Sequence, residues 1–251
     1  MASPNQISVS QLQRLVGTPD CPVLIDVCID EDFAIDPRLI PTSKRHSFKH
    51  VGDLLPVLTG KKVIVICQKG LKLSAGASAI LRAEGISAEY LEGGVNAWKE
   101  AGGPLIPIEN IPFSSNANGS LWVTRHRPKV DRIACPWLIR RFVDRDARFM
   151  FVEPSQVEAV AEKFDAIPFD TMGSIMGHCG NDCTFDVMLS EFKLTADPLR
   201  RVADIVRAAD TNKCEDIPQA SGVLAVLLGI SRMFKDDLQQ LEIGILSLIH
   251  I

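Results

Sequence analysis

Cys67 stands between a short apolar run, residues 62–66, and a loop that carries one glycine and two lysines. In α/β folds, ligands bind at the carboxyl ends of parallel strands. N–H groups at the start of a following helix, with Lys69 and Lys72, would stabilise an anionic sulfur there. Gly70 permits the tight turn that this requires. The pattern predicts a nucleophilic thiolate; the alternative is an inert core cysteine at a strand end.

A second group of reactive side chains lies within residues 178–186 and comprises His178, Cys179, Asp182, Cys183 and Asp186. Their spacing fits no zinc-finger pattern. With carboxylates from elsewhere, such as Asp131, Glu153 or Asp210, the histidine would suit iron, manganese or zinc with an open coordination position. We take His178, Asp131 and Asp210 as candidate metal ligands and Cys183 as a further candidate. The alternatives are a capping or core role for His178 and helix termination for Asp210.

Residues 125–141 concentrate six basic side chains and a histidine in an otherwise acidic chain. Such a cluster near a helix start suits an oxyanion or a phosphate, and Arg125 and Arg127 are candidate binding residues. The alternative is a solvated helix face paired with Asp131, Asp144 and Asp146. Asp131 and Cys135 are four residues apart, so they share a helix face and could both face a metal.

The composition limits the classes of protein to consider. The chain has 251 residues, 46% hydrophobic and 23% charged, as in soluble globular proteins, and no apolar stretch long enough to span a bilayer. A net charge of -4 makes nucleic acid an unlikely partner and gives no attraction to a membrane. The polar start, residues 1–13, predicts no signal peptide, so the seven cysteines indicate a reducing, cytoplasmic location.

The elements that must position these residues fall into two patterns. Strand-like runs at 23–27 and 62–66 alternate with helical patterns at 10–16, 51–58, 74–84 and 94–101. This alternation predicts an α/β domain, residues 1–107, with a parallel sheet flanked by helices. A polar linker, 108–120, follows. The second domain, 121–251, is predicted to be mainly helical (α+β), with strands at 121–124 and 149–152 and helices at 131–143, 183–192, 197–209, 219–228 and 236–248.

The first domain resembles the rhodanese family. The resemblance is carried by the six-residue loop that opens with Cys67, by residues 24–27, and by the closing signature of residues 91–98 with 102–104. It implies a sulfurtransferase in which Cys67 takes sulfur from a small sulfane donor such as thiosulfate, holds it as a persulfide and passes it to a thiol acceptor. The loop residues implied to bind substrate are Gln68, Lys69, Gly70, Leu71 and Lys72.

Two positions depart from that family's pattern. Lys72 replaces the usual arginine, which keeps the charge but loses the bidentate fork for an oxyanion, so the donor is left open. Cys28 also stands where the family commonly has arginine. Cys28 is interpreted as a buried structural cysteine, with a resolving thiol as the alternative.

The second half resembles the C-terminal domain of ChrB-type chromate resistance proteins. The matching segments are residues 124–139, 168–170, 178, 183–186, 205–210 and 222. The resemblance implies a role in bacterial chromate resistance, with chromate or another oxyanion as a candidate ligand. The whole chain is therefore predicted to be a sulfurtransferase associated with chromate resistance. The alternative is a metal- or chromate-binding sensor or regulator whose rhodanese domain is not catalytic.

Overall fold

The computed structural model describes residues 5–112, 119–215 and 217–248. The chain divides into two compact units, Met1–Glu109 and Asn110–Ile251. The predicted linker, 108–120, includes residues 113–118, which lie outside the described ranges. The linker therefore stays a prediction.

The N-terminal unit alternates strands and helices. Its strands are β1 (Gln6–Ile7), β2 (Val23–Asp26), β3 (Arg38–Leu39), β4 (Lys44–Arg45), β5 (Lys62–Ile66), β6 (Ser87–Leu91) and β7 (Ile106–Pro107). Its helices are α1 (Val9–Gln13), α2 (Asp30–Phe33), α3 (Leu55–Leu58), α4 (Lys72–Ala83) and α5 (Gly94–Glu100). Short 3₁₀ helices at Phe48–Leu54 and Ile108–Asn110 complete the connections.

Five of these strands form one parallel sheet in the order β1-β6-β5-β2-β4. β5 is the middle strand, and its side chains alternate between two buried clusters. Val63 and Val65 pack on one face, and Ile64 and Ile66 pack on the other. Burial on both faces explains why β5 is continuously apolar in sequence. Cys67 continues the alternation and joins the cluster of Val63 and Val65.

The C-terminal unit combines three strands with six α-helices in its described residues. The strands are β8 (Leu121–Arg125), β9 (Arg148–Val152) and β10 (Ile167–Pro168). The helices are α6 (Val130–Leu138), α7 (Val157–Phe164), α8 (Thr184–Glu191), α9 (Asp197–Asp210), α10 (Pro218–Met233) and α11 (Asp237–Leu248). A π-helical turn, Ile139–Val143, continues α6, and a 3₁₀ helix, Pro154–Gln156, precedes α7.

The strands of this unit form a small parallel sheet in the order β10-β8-β9. Trp122 on β8 is fully buried, and its indole N–H donates to Ser120 Oγ at 2.9 Å. Helix α6 is buried along almost its whole length and packs against α8, α9 and α11. This burial explains the apolar character of its sequence and places Asp131, on its first turn, inside the unit.

The predicted fold class is confirmed for both halves: a parallel sheet with helices, then a helix-rich region with a small parallel sheet. Strands β1, β3, β4, β6, β7 and β10 and helices α2 and α7 were not among the predicted elements. No helix within the described ranges is long and apolar enough to cross a membrane.

Arg127 connects the loop after β8 to the α10–α11 connection. Its guanidinium donates to the carbonyl oxygens of Ser231, Phe234 (2.9 Å) and Lys235 (3.2 Å). It also lies 3.6 Å from Asp237 Oδ1, and the Arg127 N–H donates to Asp237 Oδ2 at 3.1 Å. The arginine thus satisfies carbonyl groups at the end of α10 that lack intrahelical partners.

We expect Arg127→Lys to destabilise the C-terminal unit by about 1–2 kcal/mol, because an ammonium group cannot reach the same set of acceptors. Urea unfolding followed by circular dichroism measures the loss. Arg200→Lys is the matched control, since Arg200 is exposed and pairs only weakly with Asp197 at 3.5 Å. Equal stability of the two variants would contradict the role given to Arg127.

Candidate functional site

The Cys67 side chain lies at the carboxyl end of β5, where loop 68–71 leads into α4. The residue is 4% exposed, and its Sγ lies 3.1 Å from the hydroxyl oxygen of Ser74, on the first turn of α4. That hydroxyl can accept a hydrogen bond from a thiol or donate one to a thiolate. The side chain is therefore held beneath the loop, in contact with one polar group.

Two glycines allow the loop to lie directly against the turn that follows β6. Gly70 has φ +64°, and a Cβ there would lie 2.7 Å from the backbone nitrogens of Gly93 and Gly94. Gly94 has φ +62°, and a Cβ there would collide with the carbonyl oxygen of Cys67. Both positions combine a left-handed backbone with a space too small for any side chain.

Backbone hydrogen bonds complete this contact. The Val95 N–H donates to the Cys67 carbonyl oxygen at 3.1 Å, and the Asn96 N–H donates to the Gln68 carbonyl oxygen at 3.0 Å. The loop and the closing signature of the rhodanese pattern are thus packed together, although they are separated in sequence. The conformation that presents Cys67 depends on both.

The remainder of that signature forms part of the core. Trp98 is fully buried, and its indole N–H donates to the Pro104 carbonyl oxygen at 2.9 Å. A Cβ on Gly103 would collide with the indole ring. The signature therefore fixes α5 on the sheet, which in turn fixes the turn that contacts the loop.

The surroundings of the loop favour negative charge. The first N–H groups of α4 lack intrahelical partners, as at every helix start, and no side-chain cap binds them. Lys69 and Lys72 are exposed, and neither makes an ion pair with a residue that the structure describes. The loop therefore offers hydrogen-bond donors and two ammonium groups to an anion.

Cys28 lies beside the Cys67 cluster, but its own surroundings oppose ionisation. It is partly buried and packs against that cluster. Burial is the main cause that raises the pKa of the Cys28 thiol, and the neighbouring Asp26 carboxylate raises it further. A thiol in this state is a poor nucleophile. Its environment agrees with the structural interpretation more than with a resolving thiol.

In the C-terminal unit, four segments bring carboxylates around one imidazole. Asp131 lies on the first turn of α6, Asp170 follows β10, Asp210 ends α9, and His178 lies in the loop between β10 and α8. The His178 Nε2 is 3.3 Å from Asp131 Oδ2, 3.3 Å from Asp170 Oδ1 and 3.5 Å from Asp210 Oδ2. The structure thus brings together the three predicted ligands, and metal binding itself stays a prediction.

Neighbouring groups hold two of these carboxylates in place. The backbone N–H of Thr184 donates to Asp131 Oδ2 at 2.7 Å, and its hydroxyl donates to Asp170 Oδ1 at 3.1 Å. Asp170 Oδ2 accepts from Arg125 at 2.9 Å and lies 3.1 Å from Arg132 Nε. Asp131 is 1% exposed and Asp170 is 4% exposed, so both are fixed inside the unit.

The loop that carries His178 is folded back by backbone hydrogen bonds. The Asp170 N–H donates to the Met176 carbonyl oxygen at 2.8 Å, and Cys179 and Asp182 exchange bonds of 3.1 and 3.0 Å. The His178 side chain is 45% exposed. The imidazole therefore forms the solvent side of the cluster, above the buried carboxylates.

The cluster attracts positive charge. A hydrogen bond to Asp131 is the main cause that raises the pKa of His178 to about 9. Burial, followed by repulsion from Asp131 and Asp170, raises the pKa of Asp210 to about 6. Both shifts follow from several acids close together with little solvent to screen them. A bound proton or another cation relieves that repulsion.

The other predicted candidates have different surroundings. Cys135 and Cys183 are fully buried, and burial is the main cause that raises the pKa of each thiol. Arg125 pairs with Asp170, and Arg127 binds the α10–α11 connection. These two basic side chains are occupied by ion pairs and hydrogen bonds, although their partners are not the acids named from sequence.

Asp170 is the cluster residue that was not predicted as a ligand. It has φ +51° and lies two residues after β10, a strand of only two residues that was not predicted. The sequence signal that could have identified Asp170 is its position after the apolar Pro168-Phe169 pair. Such a pair can end a strand, and functional groups gather at the carboxyl ends of parallel strands.

Comparison with known families gives two matches. A model of the ChrB C-terminal domain matches residues 122–248, and a model of the rhodanese-like domain matches residues 8–101. Both resemblances drawn from the sequence are confirmed.

Individual relatives match parts of the chain. Protein ChrB of Cupriavidus metallidurans is 38% identical over 139 residues, which are 54% of this chain and 41% of that protein. An uncharacterized protein of Synechocystis sp. is 32% identical over 123 residues, 45% of this chain and 65% of that protein. The chain thus covers less than two thirds of either relative. A solved rhodanese-related protein from Thermoplasma volcanium is 24% identical with a TM-score of 0.35, covering 41% of this chain and 97% of that chain.

We expect Gly94→Ala to destabilise the N-terminal unit by about 2–4 kcal/mol, because a Cβ adds a collision with the Cys67 carbonyl to the strain of a positive φ. Gly102→Ala is the control. Gly102 has φ +69° but no atom within 4 Å of an added Cβ, so only about 1–2 kcal/mol of backbone strain applies. Urea unfolding followed by tryptophan fluorescence compares them, and equal losses would show that the close contact is not rigid.

Proposed function

Because the chain belongs to the ChrB C-terminal domain family and carries a rhodanese-like domain before it, we propose that it is a sulfurtransferase acting in bacterial chromate resistance. Sulfane sulfur is carried as a persulfide on Cys67. The observation that carries this proposal is the position of the thiol, 3.1 Å from Ser74 Oγ and beneath a loop locked against the turn after β6.

The reaction is two successive displacements at sulfur. The Cys67 thiolate attacks the outer sulfur of a donor such as thiosulfate and forms a new S–S bond to Sγ. The donor's own S–S bond breaks, and its electron pair leaves with sulfite. A thiolate of the acceptor then attacks the carried sulfur, and Cys67 leaves as a thiolate. Every form of the sulfur is anionic, so each is stabilised by the N–H groups at the start of α4.

The loop restricts which donors fit. Cys67 is 4% exposed, so a donor must be slender enough to pass between the exposed side chains of the loop. Lys69 and Lys72 give that passage positive charge, which favours small anions such as thiosulfate or polysulfide. A lysine at position 72 binds such an anion as a point charge without the planar fork of an arginine.

The part of the proposal that concerns chromate rests on the family of the C-terminal unit. We propose that sulfur transfer supplies reduced sulfur to thiols during oxyanion stress. Direct binding of chromate is not required, and the acids around His178 repel an oxyanion.

A second candidate function is a metal-binding sensor or regulator in which Cys67 is inert. The cluster of acids around His178 favours it. Sulfur transfer that is absent from the wild-type chain, together with stoichiometric metal, would support this candidate over the enzyme.

We expect incubation with thiosulfate to add one sulfur atom to the intact mass of the wild-type chain, and Cys67→Ser to abolish both this adduct and transfer to cyanide or a thiol. Intact mass spectrometry and a transfer assay measure the two effects. Cys214→Ser is the control, because that thiol lies in the other unit and contacts the Ala208 carbonyl oxygen. An adduct that persists in Cys67→Ser would remove the basis for the proposed enzyme.

We expect Lys72→Arg to raise kcat/KM for thiosulfate by up to about tenfold, because a guanidinium makes two parallel hydrogen bonds to an oxyanion. Lys72→Gln should lower kcat/KM. Steady-state kinetics with thiosulfate measure both. Lys99→Arg is the control, since Lys99, on α5, pairs with Asp36 at 2.5 Å. If neither substitution at position 72 changed kcat/KM, the loop ammonium would have no part in donor binding.

A further inference from the structure

We propose that Asp131, Asp170 and His178, with Asp210 as a fourth group, bind one divalent transition-metal ion of the manganese and iron class. The proposal stands on the C-terminal unit alone and does not depend on sulfur transfer by Cys67.

The first observation is a buried carboxylate oxygen with no partner. Asp131 is 1% exposed, and its Oδ1 makes no hydrogen bond to any residue that the structure describes. Its Oδ2 accepts from Thr184 and faces His178. An unpaired buried carboxylate oxygen destabilises the folded state unless a cation compensates its charge. The Asp131 carboxylate is thus well placed to act as a metal ligand.

The second observation is the spacing of the ligand atoms. Bonds from a metal to carboxylate oxygen or imidazole nitrogen are about 2.0–2.2 Å long, so neighbouring ligand atoms around one ion lie about 3.0–3.5 Å apart. The three oxygens lie 3.3, 3.3 and 3.5 Å from His178 Nε2. Atoms of Asp131, Asp170 and His178 also lie within 4.8 Å of one another. Small side-chain movements would place one ion among them.

The third observation is that the charge is incompletely balanced. Arg125 and Arg132 both contact the Oδ2 atom of Asp170, on the side away from His178. Asp131 and Asp210 have no such arginine partner among the residues described. A divalent cation would balance the remaining charge, whereas an oxyanion would add to the repulsion.

The groups that contact these carboxylates resemble those that surround the ligands in metal sites. Thr184 binds one oxygen of Asp131 and one of Asp170, and the two arginines fix the second oxygen of Asp170. Such contacts orient carboxylates before an ion arrives. His178 is 45% exposed, so the cluster can be reached from solvent.

The donor set determines the class of metal. Three carboxylates make a hard, oxygen-rich site, and one imidazole favours a transition metal over magnesium or calcium. Cys135 and Cys183 do not belong to the ligand group found among the described residues, so thiolate, which would favour softer zinc or copper, is not supplied.

The test is titration of the full chain, freed of metal by a chelator, with Mn²⁺ followed by electron paramagnetic resonance. We expect one Mn²⁺ per chain, resistant to excess Mg²⁺. His178→Ala should weaken binding at least about tenfold and remove the nitrogen coupling to the bound ion. Asp131→Asn, which preserves the side-chain shape, should weaken binding similarly, and circular dichroism checks that both variants fold.

His126→Ala is the matched control. His126 is a 41% exposed histidine of the same unit, and its Nε2 lies 2.9 Å from a Glu153 oxygen outside the cluster. Mn²⁺ binding should be unchanged in this variant. Three results would overturn the proposal. The wild-type protein binds neither Mn²⁺ nor Fe²⁺ stoichiometrically, it binds only Zn²⁺, or His178→Ala binds Mn²⁺ as tightly as the wild type does.

Discussion

The contact between the Cys67 carbonyl and the glycine turn after β6 is the constraint on which the N-terminal unit depends. The two backbones approach so closely that neither Gly70 nor Gly94 can carry a side chain. This contact explains why the family pattern has two parts that are distant in sequence. One part contains Cys67, and the other, anchored by the buried Trp98, holds the first in its conformation. The position of the thiol thus depends on both segments at the carboxyl ends of β5 and β6.

The C-terminal unit gathers charge of the opposite sign to that of the Cys67 loop. Around Cys67, backbone N–H groups and two lysines favour an anion. Around His178, acids from three separate segments favour a cation, and Thr184 holds two of them at fixed positions. Each arrangement depends on secondary structure, because a helix start supplies donors in both units. The two units therefore surround their candidate sites with opposite charge, using similar elements.

Much of this organisation could be predicted from sequence, because it is carried by local patterns. The apolar runs of β2 and β5 and the periodicity of α4, α9 and α11 are long enough to indicate their type. The two-residue strands, such as β10, depend on pairing with distant segments and leave no such pattern. The same reason explains the candidate metal site. Asp131, His178 and Asp210 stand in recognisable clusters or helices, whereas Asp170 gains its position from β10 pairing with β8.

The central position of β5 has a consequence for how the thiol behaves over time. β5 is hydrogen-bonded to β6 on one edge and to β2 on the other, whereas β1 and β4 are two-residue strands at the margins of the sheet. Amide groups of such a middle strand exchange with solvent only in the rarest openings, while marginal strands fray often. The backbone position of Cys67, at the end of this middle strand, therefore persists during local opening of the marginal strands.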